Sequence, residues 1–184
     1  MLFRSLGIDF YAFTGHKWWC GPEGVGGLYI HPDAMASLDP TFIGWRSLDY
    51  SQPELPLISD ARRYEVATSA YPLYAGLRAA LKIHQEWGNS IDRATKIVSL
   101  ANYLWEQLQQ VPGIKCLNHT APQSGLVSFQ FEPGNHGKLV QALEEQQFYL
   151  RTIVDPDCIR ACTHYFTTTA EIDRFRQCLS QLIS

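Results

Sequence analysis

Over the first third of the chain apolar residues come in short runs cut by glycine, a pattern of strands and turns. Phe10, Tyr11, Ala12 and Phe13 read as one short strand ended by Thr14-Gly15, and Leu28, Tyr29 and Ile30 as a second closed by His31-Pro32. The stretch 39–60, rich in Pro, Ser and aromatic residues, has no period and predicts a long loop, a kind of segment that is often functional inside a compact domain. Apolar positions then recur at helical spacing over 74–84. Gly88-Asn89-Ser90 breaks that helix, with Ser90 expected to cap the next. The second helix is long: Ile91, Ala94, Ile97, Val98, Ala101, Leu104, Trp105 and Leu108 repeat every third or fourth position until Val111-Pro112-Gly113 stops it.

Beyond Gly113 the elements shorten. Residues 126–131 alternate as a strand, 136–148 read as an amphipathic helix, and 149–153 and 158–165 read as further strands. A closing helix over 169–183 is opened by a threonine cap and gathers Ile172, Phe175, Leu179, Leu182 and Ile183 on one face. The change of pattern places a boundary near Gly113, giving a first part over 1–113 and an α+β domain over 114–184. Two strands are too few for a sheet of their own, so something else is expected to cover and extend the first pair.

Composition narrows the classes. The 184 residues are 46% hydrophobic and 18% charged with a formal net charge of -3, which leaves no basic footprint for nucleic acid. No apolar run reaches bilayer length, so no membrane span is expected. The stretch from Met1 to Gly7 lacks the charged start, apolar centre and cleavage site of a secretory signal. Cys20, Cys116, Cys158, Cys162 and Cys178 are scattered and odd in number, which fits reduced thiols of a cytoplasmic protein. Cys158 and Cys162 have no second pair at ligand spacing, so no metal site is expected.

The segment from Asp9 to Ile30 is the richest in chemistry. Lys17 follows a strand beside small and hydroxyl-bearing residues, where its amine can be desolvated and made nucleophilic toward an aldehyde. Thr14 and His16 can hydrogen-bond a phosphate, and the Gly-rich turn lets backbone amides approach an anion. From these residues alone, a surface lysine beside an ordinary hairpin fits equally well.

Thr14-Gly15-His16-Lys17, followed by Gly21-Pro22-Glu23-Gly24-Val25-Gly26 and Leu28-Tyr29, resembles the lysine motif of the class V aminotransferases and cysteine desulfurases. These are pyridoxal-phosphate enzymes of fold type I, and the resemblance continues to the C-terminus. It implies an α/β and α+β fold: a remnant of the large domain (lysine strand, hairpin strand, long helices) followed by the α+β small domain. It implies Lys17 as the Schiff-base lysine for pyridoxal 5'-phosphate, with Thr14 and His16 on the phosphate. Thr68, in Arg63-Tyr64-Glu65-Val66-Ala67-Thr68, matches a threonine that reaches the phosphate across a dimer interface, although a capping threonine at a helix start fits as well. Arg160 matches the arginine that clamps the α-carboxylate of an amino-acid substrate, with Arg151 assisting; a structural salt bridge is the alternative for each. Trp45 matches a tryptophan bordering the substrate, or else anchors its loop.

Two departures sharpen the resemblance. Desulfurases carry a catalytic cysteine on a mobile loop after the strand matching Arg151, and residues 153–157 hold none, so persulfide transfer of that kind is disfavoured. The pattern is most similar to the C–S lyases that act on cysteine or cystine by β-elimination. In the family a phosphate loop, a ring-stacking residue and an aspartate for the pyridine nitrogen precede the lysine by a long stretch. Only sixteen residues precede Lys17, so the chain is expected to be the C-terminal portion of such an enzyme. Weak or absent cofactor binding alone and a small amino-acid substrate follow from that resemblance, with a non-catalytic remnant as the alternative; self-association, as a homodimer, is expected from the unpaired strand edge and the uncovered apolar face.

Overall fold

The computed structural model describes residues 6–132 and 134–183, so the reading of Met1 to Ser5 lies outside the described residues. Contacts divide the chain into two compact units, Met1–Glu86 and Trp87–Ser184.

In the first unit β1 (Phe10–Thr14) pairs antiparallel with β2 (Gly26–Ile30), Phe10 standing opposite Ile30 and Thr14 opposite Gly26. Among the described residues this sheet has two strands only. Successive side chains of a strand point to opposite faces. Phe10 at 40% and Tyr11 at 43% exposure therefore mean that each face of β1 is partly open to solvent. The stretch 39–60 is a loop, as its lack of period implies, but an organised one. It holds a 3-10 turn at Trp45–Ser47 and an antiparallel bridge between Leu48 and Leu57. Asp60 caps a second turn, Ala61–Tyr64, accepting from the Arg62 amide. Helix α1 (Tyr71–Trp87) starts three residues before the apolar period does, with Pro72 in its first turn, where a missing N–H leaves no bond unmade.

In the second unit α2 (Ser90–Gln109) is capped by Asn89 and not by Ser90: the Asn89 Oδ1 accepts from the amides of Ile91 and Asp92 at 2.9 Å each. Leu100, Ala101, Leu104 and Leu108 form its buried stripe, while Ile91 lies outside the stripe and is exposed. A four-stranded antiparallel sheet follows in the order β3 (Ile114–Cys116), β4 (Leu126–Phe131), β6 (Cys158–Cys162), β5 (Arg151–Ile153). Strand β3 has no signature in the sequence because Ile-Lys-Cys is too short to alternate. Helix α3 (His136–Glu145) and α4 (Thr169–Ile183) complete the unit. The α4 cap is Thr168, one residue before the expected opening. Its Oγ1 accepts from the Glu171 amide at 3.2 Å, and the Glu171 carboxylate accepts from the Thr168 amide at 2.8 Å, a reciprocal box.

Val127, Phe129, Ile159, Leu143 and Leu179 are fully buried in one core with the α2 stripe. That shared core is why the contacts divide the chain at Glu86, whereas the change of pattern falls near Gly113: α2 buries its apolar face within the C-terminal unit. Leu182, expected on the buried face of α4, is exposed.

Truncating Phe129 to alanine is expected to cost about 3–5 kcal/mol of stability, as for other fully buried aromatic side chains. Leu182→Ala should stay within about 0.5 kcal/mol. Urea denaturation followed by circular dichroism measures both, and equal losses would contradict the core described here.

Candidate functional site

The turn between β1 and β2 is shaped by backbone contacts. The Gly15 amide donates to the Val25 carbonyl at 2.8 Å, the Gly21 amide to the Gly15 carbonyl at 2.8 Å, and the Cys20 amide to the Lys17 carbonyl at 3.0 Å. A Cβ on Gly26 would stand 2.3 Å from the Phe13 carbonyl oxygen, closer than any side chain tolerates. From α1 the buried His84 hydrogen-bonds through Nε2 to the Trp19 carbonyl at 2.9 Å, and the Phe13 and Trp19 rings pack 4.8 Å apart. Lys17 therefore sits on a turn fixed by both the strand and the helix.

Lys17 and Thr14 line one open hollow of about 610 Å³, whose other walls include Tyr11, Phe13, Trp18 and Trp19. His16 lies on the same turn but not on the wall of the hollow. All three candidate residues are exposed, so the desolvated amine expected from sequence is not found. The reason is the hairpin itself: Phe10, Tyr11 and Leu28 stay exposed, and among the described residues of this unit nothing shuts water from the lysine.

Trp45 is exposed at 56%, which does not fit a packed loop anchor. Thr68 is exposed on the extended segment that leads to α1 and lies three residues before the helix, short of its cap position. Sequence reasoning missed the residue that ties these two segments. Arg46 pairs with Glu65 at 2.8 Å (Nη2 to Oε2) and donates to the Ser69 hydroxyl at 3.1 Å, gripping the segment on either side of Thr68. The fully buried Ser47 donates to the Glu65 carbonyl at 3.3 Å, and Gly44 passes so close to Val66 that a Cβ would stand 1.9 Å from its carbonyl oxygen. Only the charge of Arg46 beside Trp45 could have hinted at this, because its partners lie far along the chain.

In the second unit Arg160 stands in the sheet directly between Ser128 of β4 and Arg151 of β5. Its strand neighbours Ile159 and Ala161 are buried in the core, so Arg160 projects from the opposite face. Two arginines directly opposite on adjacent strands repel one another, and the buried Nε of Arg160 has no hydrogen-bond partner. An anion on this face would relieve both costs. The alternative of a structural salt bridge has no carboxylate beside Arg160 among the ion pairs of the described residues. Cys158 opens β6 at 2% exposure, and burial pushes its thiol up from the ordinary value, the opposite of what a transferring thiol needs. Among the described residues no group of three or more His, Cys, Asp or Glu side chains is placed to hold a metal ion, and no helix is long and apolar enough to cross a membrane.

The family that matches this chain is the Aminotransferase class-V family, over residues 2–175. A probable cysteine desulfurase of Methanothermobacter thermautotrophicus is 26% identical, covering 97% of this chain and 48% of that protein. Among solved structures, a complex between the cystine C–S lyase C-DES and its reaction product cysteine persulfide is 51% identical, with a TM-score of 0.92 over 97% of this chain and 48% of that one. A mutant of C-DES with glycine covalently linked to its PLP cofactor is 50% identical, with a TM-score of 0.90. The chain spans about half the length of the relatives it matches.

Thiol labelling checks the site description. At about pH 8, near the ordinary thiol value, iodoacetamide should modify the exposed Cys162 well before the buried Cys158. Cys116, pushed up to about 11 by burial, stays protonated at that pH and should react only as the pH rises toward that value. Peptide mass mapping reads the order, and early modification of Cys158 would contradict its placement.

Proposed function

We propose, on the premise that this chain belongs to the class V aminotransferase family, that it carries the lysine and the carboxylate-binding arginines of a pyridoxal-phosphate C–S lyase acting on cysteine or cystine by β-elimination. The observation that carries the reading is the hollow shared by Lys17 and Thr14 at the end of β1, in a chain 51% identical to a cystine C–S lyase.

The residues present suit the cofactor. The hollow offers a free primary amine, a hydroxyl and aromatic walls to an aldehyde-bearing aromatic phosphate ester. Lys17 would hold pyridoxal 5'-phosphate through its amine, and Thr14, His16 and Thr68 would meet the phosphate. When bound, this group supplies the electron sink for a carbanion at Cα. The Lys17 Nζ then serves as the base that takes the Cα proton, and the departing sulfur leaves with a proton in its place. Arg160 takes the substrate carboxylate with its planar fork, Arg151 assisting, which fixes the orientation of the Cα–H bond. Trp45 borders the amino-acid side chain. Loss of the β-sulfur group and hydrolysis of the remaining carbon skeleton give pyruvate and ammonia.

A cysteine desulfurase activity is the weaker reading, since the β5–β6 turn carries no thiol and Cys158 is buried. The exposed Lys17 favours low affinity: these 184 residues alone should bind the cofactor weakly and turn over little, and a non-catalytic remnant is the alternative for the isolated chain. The uncovered apolar faces of the hairpin favour self-association, as a homodimer. A cytoplasmic location goes with the five free cysteines.

Borohydride reduction in the presence of pyridoxal 5'-phosphate should place the cofactor mass on the Lys17 peptide at low yield, and on no peptide of Lys17→Ala. Equal labelling of other lysines would sink the assignment. In any preparation that does turn over cystine, pyruvate rather than alanine should accumulate. There Arg160→Ala should raise KM about tenfold to a hundredfold, the value of a hydrogen bond to a charged group, with Arg160→Lys intermediate.

A further inference from the structure

We propose that His136 is a positioning residue for the Arg151–Arg160 pair, acting through the turn that joins β5 to β6. Strand β5 is three residues long and, among the described residues, lies at the edge of the sheet, paired with β6 alone. Its register sets Arg151 opposite Arg160, Thr152 opposite Ile159 and Ile153 opposite Cys158. A slip of one residue would send Arg151 to the other face, where the core lies, and so separate the two guanidinium groups. Three residues of edge strand hold a register poorly, and repulsion between the arginines works against the observed one. The register must be fixed elsewhere.

It is fixed at Asp157, the residue immediately before β6. The Asp157 carboxylate lies 2.9 Å from Nδ1 of His136, and its carbonyl accepts from the Gln130 side-chain amide at 3.0 Å. His136 is buried at 7% exposure at the start of α3, and its Nε2 accepts from the Phe131 amide at 3.1 Å. Accepting there requires an unprotonated Nε2, so the neutral ring carries its proton on Nδ1 and donates it to Asp157. One ring thus fastens the turn to the end of β4 and to the first turn of α3. A buried histidine that served packing alone would have no need of an aspartate whose side chain is 76% exposed.

The two bonds can be separated. In His136→Gln the side-chain oxygen can stand where Nε2 does and keep the Phe131 bond, while Asp157 is released. Asp157→Asn acts on the same contact from its exposed end, and serves if His136→Gln fails to fold. The measurement is hydrogen exchange across the whole chain, with NMR of the arginine Nε–H groups during titration with acetate as the carboxylate probe. Both variants should keep the protection of β4 and α4. The amides of residues 151–157 should exchange about tenfold faster, and acetate should bind the arginine pair about tenfold more weakly, the factor that one net hydrogen bond is worth. Unchanged exchange in 151–157, or an equal loss of protection throughout the unit, would overturn the proposal. The acetate arm also rests on the reading of Arg160 as a carboxylate site. If Arg160 ignores acetate in the unmodified chain while exchange in 151–157 still responds to His136→Gln, that reading fails and the positioning role stands.

Discussion

Two guanidinium groups on neighbouring strands, with no carboxylate paired to them among the described residues, are the constraint around which the C-terminal unit is arranged. Arg160 cannot turn inward, because Ile159 and Ala161 on either side commit the other face of β6 to a core with Phe129, Leu143 and Leu179. It cannot be neutralised locally, because the sheet sets Ser128 on one side and Arg151 on the other. A buried guanidinium nitrogen without a partner is a cost that folding alone does not repay. The proposed carboxylate site would relieve that cost, and the buried core on the opposite face would give it a rigid back.

The lysine-bearing hairpin shows the reverse condition. Its conformation is tightly determined: glycines admit backbone contacts that no side chain would allow, and His84 ties the turn to α1. Its surroundings are not determined, since Phe10, Tyr11 and Leu28 remain open to solvent on a sheet of two strands. A strand apolar on both faces is suited to the interior of a layered α/β domain. Shape is thus preset at Lys17, whereas the dryness that the proposed imine chemistry would need is not. The chain's match to about half the length of its relatives is consistent with that division.

The loop over 39–60 joins these themes. What reads as a structureless connection is fastened to the segment before α1 by Arg46, Ser47 and the close passage of Gly44 over Val66. Arg46 in this unit and His136 in the other do the same kind of work, each spending a partly or fully buried polar side chain on one connection. Trp45 stands directly beside Arg46, and Asp157, which His136 holds, leads into the strand of Arg160.

The sequence by itself determined the elements whose signal is local. Periodicity in α2 and α4, alternation in β4, and glycine punctuation around the hairpin each act over a few residues, so they could be read directly. The lysine motif was legible for the same reason, being one continuous segment. Tertiary structure decided what depends on distant partners. Asn89 took the cap from Ser90 because its side chain reaches two free amides. Strand β3 exists only because β4 pairs with it. The contacts divide the chain at Glu86 because α2 buries its stripe against strands that come later in the chain. The exposure of Lys17, the confrontation of Arg151 with Arg160 and the grips of Arg46 and His136 all belong to this second class. Burial, register and long-range hydrogen bonds are properties of what packs against a residue, and a local pattern carries no record of them.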